Sequence, residues 1–138
     1  MNLSRCECVE ETDRLVRYEV DVPESELEEP ISLAYRILYK DRGIDPIGNE
    51  RPYDHLVEEL GEETVISYLG NFLQHYIAGA VAESEGLSPY GAPVIVETED
   101  SSRRVLGDKT LSIEFRKIPQ YELSEYGPLK VALPEGEG

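Results

Sequence analysis

Two cysteines separated by one residue, Cys6 and Cys8, and two histidines, His55 and His75, are the soft-ligand and proton-transfer groups of this chain. Together they could supply up to four metal ligands. Structural zinc sites, however, separate paired cysteines by two to four residues. Here a single residue intervenes, and the histidines fall on different expected elements. The spacing favours a plainer reading, two small side chains facing a sheet core and behaving as buried hydrophobes. No metal and no cofactor is expected. A mutual disulfide is disfavoured as well, because neighbours at i and i+2 of a strand share a face in a geometry too constrained to close one easily.

Asp54 and His55, with Glu58 and Glu59 one turn further on, could form an acid–base pair. Hydrolysis through them would need a nucleophile within reach of the base. No G-x-S-x-G, H-E-x-x-H or P-loop spacing occurs. His55 is therefore expected at the surface beside the start of a short helix, and His75 as a partly buried, hydrogen-bonded residue on the edge of a long one. No catalytic residue is assigned, and Asp54/His55 remains the enzyme alternative.

Arg103 and Arg104, beside Ser101 and Ser102, are an adjacent basic pair and could cradle a phosphate or carboxylate. In so acidic a protein they read first as a solvated turn. Nucleic-acid binding needs several basic contacts that survive salt, and it is not expected. Nine tyrosines stand against two phenylalanines and no tryptophan. Tyrosine offers a large contact area with a polar tip, which suits interfaces. Tyr90, Tyr121 and Tyr126 fall in expected loops. With Arg103 and Arg104 they are the candidate partner contacts.

These residues must be positioned by a short series of elements. Residues 3–9 and 15–22 read as a β-hairpin turning at 10–13, with Val16, Tyr18, Val20 and Val22 alternating with charged residues. Ile31, Ala34, Tyr35 and Leu38 sit at i, i+3, i+4 and i+7 and predict a helix over 31–42, stopped by Gly43. A loop over 43–52 leads to a short helix at 53–60. Residues 62–85 carry the widest apolar stripe, Val65, Leu69, Phe72, Leu73, Tyr76, Ala80 and Val81, and predict a long, mostly buried helix ended by Gly86.

The remainder reads as strands at 93–99, 103–106, 111–116 and 129–133, joined by turns at 100–102 and 107–108. The order gives an α+β fold: an N-terminal hairpin, two or three helices, then three or four mostly antiparallel strands. Residues 1–133 are expected to form one domain, and 134–138 a flexible acidic tail. A chain of 138 residues is long enough to fold on its own core.

Charge dominates the composition. Acidic residues number 29 against 13 basic ones, a net charge of −16, and only Lys40, Lys109, Lys117 and Lys130 are lysines. This excess of acid with little lysine resembles proteins of salt-in halophiles. Self-repulsion destabilises a compact acidic chain at low ionic strength, and molar salt, with a Debye length of about 3 Å, screens it.

The start of the chain shows no apolar signal run, and no stretch reaches membrane-spanning length. The expected location is the cytoplasm, or a virion assembled there. The leading functional expectation is a non-catalytic assembly or adaptor subunit acting through protein contacts, as a homo-oligomer or within a larger complex. One form is a neck, tail-completion or tail-terminator component of a haloarchaeal tailed virus. The alternatives are a small regulatory ligand- or protein-binding module and the small enzyme.

Overall fold

A computed structural model describes residues 1–46, 48, 51–87, 93–102 and 106–117. Its centre is strand β2 (Leu15–Val22), which pairs antiparallel with β1 (Arg5–Glu11) on one side and with β4 (Lys109–Arg116) on the other. Strand β3 (Val94–Glu97) adds to the far side of β4, giving a four-stranded antiparallel sheet in the order β1-β2-β4-β3. With its helices on one face, the fold is α+β.

Period-2 patterning does the sorting. Val16, Tyr18, Val20 and Val22 are buried beneath the helices, and Leu111 and Ile113 of β4 join them. Arg17, Glu19 and Asp21 take the opposite face. The hairpin turn lies at residues 12–14, slightly later than the spacing suggested. The Thr12 side-chain oxygen fixes it there by accepting from the amides of Arg14 and Leu15, at 3.1 and 3.2 Å. A register shift between Cys8 and Glu10 leaves Val9 as the extra residue of a β-bulge.

A 3-10 turn at Glu24–Glu26 leads into α1 (Glu28–Arg42), which starts three residues before the apolar spacing indicated. Pro30 is tolerated there because first-turn amides have no intrahelical acceptor to lose. Gly43 ends α1 at φ 65, and the Ile44 amide donates back to the Tyr39 carbonyl at 3.0 Å. Helices α2 (Pro52–Leu60) and α3 (Glu62–Ser84) are separated by Gly61 alone, at φ 92. Gly86, at φ 70, follows the end of α3.

Helix α3 joins two cores. Its buried row runs Val65, Leu69, Leu73, Ile77 and Val81, one residue per turn. The first two pack with Ala34, Leu38, Tyr39 and Leu56 between the helices. The last three pack on the sheet with Val20, Val22, Leu27 and Leu111. Among the described residues no helix is long and apolar enough to cross a membrane.

Two differences follow α3. Residues Glu99–Ser102, expected as the end of a strand at 93–99 and a turn at 100–102, form the one-turn helix α4, whose start is tied by the Ser101 amide donating to Thr98 Oγ1 at 3.3 Å. Of the expected strand at 103–106, residues 103–105 lie outside the described residues and Leu106 stands in a bend. The expected strand at 129–133 and the tail at 134–138 also lie outside them.

Candidate functional surface

The five residues singled out as partner contacts, Tyr90, Arg103, Arg104, Tyr121 and Tyr126, all lie outside the described residues. The groups chosen for chemistry are described, and the structure spreads them apart in role. Cys6 is partly buried, packs against the sheet core, and has its thiol pKa raised by burial and then by Glu85. Cys8 is exposed, its thiol 3.7 Å from the Glu10 carbonyl. The reading of both as core-facing hydrophobes is thus corrected for Cys8. It shares a face with Cys6, but β1 is an edge strand that bulges just beyond it. Among the described residues no group of three His, Cys, Asp or Glu could hold a metal ion.

His55 is not the surface residue its position suggested. It is half-buried, with Nδ1 2.9 Å from the Tyr39 hydroxyl and its ring 5.6 Å from that of Tyr39, tilted by 34°. The pair pins α2 to α1, and burial raises the Tyr39 phenol above its ordinary pKa. Asp54 points elsewhere, toward Arg51 at 3.8 Å, and is mostly exposed. His55 and Asp54 therefore have separate partners. His75, expected to be partly buried, is exposed on the outer side of α3.

That outer side holds the most distinctive surface of the fold. Tyr68, Phe72 and Tyr76, one per turn, form a partly exposed ladder with ring centroids 6.3 and 6.2 Å apart and planes 24° from parallel in each step. Tyr68 and Phe72 lean on the inter-helix core with their inner edges. With Asn71 and His75 the ladder borders an open hollow of about 420 Å³. Burial raises the Tyr68 phenol pKa, and Asp41 adds to the shift. The sequence pointed here without resolving it: Phe72 and Tyr76 widen the apolar stripe beyond what a single core can cover.

A second constellation is buried where the inner face of the sheet meets α3 and α4. Lys109 Nζ lies 3.0 Å from Glu97 Oε2, with side chains only 3% and 4% exposed. Lys109 also donates to the Ser101 carbonyl at 2.8 Å. Glu97 accepts from Ser101 Oγ at 3.1 Å and from Gln74 of α3 at 2.9 Å. Ser101 Oγ in turn accepts from the Thr110 amide at 3.1 Å. Each charge has a partner and each hydroxyl is used, as a buried polar network requires. Its chemistry is bracing: it ties β3, β4, α3 and α4 together. The parity of β4 carried the signal, since Lys109 is in phase with Leu111 and Ile113 and must point inward.

The outer face of the sheet is charged toward β1, where Arg5 bridges Asp21, Glu19 and Glu7 at 2.9, 3.1 and 3.2 Å. These carboxylates hold the Arg5 guanidinium even more firmly protonated than usual. Toward β3 the same face turns apolar, with Val94 and Val96 52% and 62% exposed. No family model matches this chain, and no curated protein matches it.

Proposed function

We propose that this chain is a protein-contact module, an assembly or adaptor subunit of a salt-adapted organism. The observation that supports this reading most is the partly exposed ladder Tyr68–Phe72–Tyr76 beside an open hollow. Three aromatic rings kept at a helix surface expose apolar area that a partner removes from water. Aromatic residues are also what interface cores are enriched in. Val94 and Val96 on a short strand at the other end of the sheet add a second apolar patch.

Salt adaptation rests on the net charge of −16 and on the Arg5 cluster, where one cation serves three carboxylates. A virion component of a haloarchaeal tailed virus is one concrete form of this reading, supported only by the small α+β architecture together with the acidic composition. Light scattering of the purified chain in molar potassium chloride tests the reading. Self-association or a stable partner is the expected result. A strict monomer at high concentration, with no copurifying chain, would reject it. Thermal shifts with small metabolites in that same monomer would move the reading to a ligand-binding module.

A further inference from the structure

We infer that the outer face of α3 is where a second copy of this chain docks, helix against helix; this rests on the protein-contact reading above and names its partner. From Thr64 through Ala82 the sequence carries no Asp, Glu, Lys or Arg, in a chain that is 30% charged. Part of that segment is core. Yet Ser67, Asn71, His75 and Gly79, one per turn, form an exposed row on the opposite side. A helix facing water ordinarily places charges along such a row.

Charge selects the occupant. A basic partner would be drawn to carboxylate-rich faces such as Glu7, Glu19 and Asp21 on the outer sheet. A copy of this chain is repelled from those same faces, since like charges set against each other disfavour contact. The outer face of α3 offers two chains of net charge −16 a meeting place without opposed carboxylates. Charges stand at its rim: Arg42 and Glu63 around the neighbouring hollow, and Asp41 near enough to act on Tyr68.

Shape agrees. The ladder Tyr68–Phe72–Tyr76 is a ridge of residues four apart, and Ser67, Asn71 and Gly79 in the row beside it carry much smaller side chains. Ridges of one helix seat in the grooves of another. A face that carries both is complementary to itself, as a two-fold contact demands. Gly79 fits this picture. A Cβ built there meets nothing within 4 Å, so the chain's own packing does not call for glycine. Glycine is a poor residue for a helix interior, and close approach of a second helix gives it a use.

Sedimentation velocity of the full chain in molar potassium chloride, over a wide concentration range, reads the outcome. Wild type should associate with itself, more tightly as salt rises. The double variant Asn71→Glu/His75→Glu sets carboxylates against carboxylates and should weaken association by at least about tenfold. Gly79→Leu, at an exposed helical position with open space, should weaken it by bulk alone while keeping its helical circular dichroism. Self-association unchanged in both variants overturns the α3 assignment and leaves the contact reading standing. A monomer bound to a different chain overturns the second-copy assignment only. A monomer with no partner at any concentration removes both.

Discussion

Lys109 Nζ and Glu97 Oε2 meet at 3.0 Å in a site closed to solvent, joining the first residue of β4 to the last residue of β3. Burial of two charges is tolerated only with such pairing and with further hydrogen bonds, which Ser101 and Gln74 supply. An inward-pointing charge on a short strand at the sheet margin also discourages unwanted strand pairing.

Lys109→Met should therefore destabilise the fold by about 3–5 kcal/mol, because Glu97 is left as an unpaired buried charge. Adding Glu97→Met should recover much of that loss, though Ser101 and Gln74 then lose an acceptor. Urea unfolding at fixed salt measures both. Equal stability of the single and double variants would mean that Glu97, left without Lys109, carries no buried-charge penalty.

The alkaline limb of stability should be set by buried and half-buried phenols. Burial, followed by Glu85, pushes Tyr18 up to about 12, and burial is the leading cause of the raised values of Tyr35, Tyr39, Tyr53 and Tyr68. A pKa higher in the folded state means that folding favours the protonated form. That contribution is complete below the ordinary phenol value of about 10 and is lost as pH climbs through the folded values. Phenolate absorbance should rise together with loss of helical circular dichroism. Titration of all the phenols with a midpoint near pH 10 and the helices intact would contradict the shielding of these rings.

Gly70 lies within α3, and a Cβ built there meets nothing within 4 Å. Gly70→Ala should stabilise the chain by about 0.5–1 kcal/mol through helix propensity alone. Thermal unfolding would show it as a rise of a few degrees. A lower melting temperature would reveal a close neighbour at that position.

Melting temperature should rise steeply as potassium chloride is raised from millimolar to molar, because salt screens the repulsion within a chain of net charge −16. A chain that stays folded and monodisperse without added salt would remove the salt-adaptation reading.

Much of the fold was legible locally. Alternation along Val16–Val22 and Leu111–Phe115 gave two central strands, and Gly43, Gly61 and Gly86 fell where helices stop. Such signals depend on a residue's own chain neighbours, through periods of 2 and 3.6. The carboxylate excess and the charge-free stretch from Thr64 to Ala82 were likewise properties of the sequence alone. Tertiary structure decided which of these meet. The order β1-β2-β4-β3 brings Glu97 to Lys109, the bulge beyond Cys8 accompanies the exposure of its thiol, and the packing of α2 against α1 hands His55 to Tyr39. None of these pairings has a local period, because each depends on register and on which element packs over which. The row at Ser67, Asn71, His75 and Gly79 became a surface only when the opposite row of α3 was claimed by two cores.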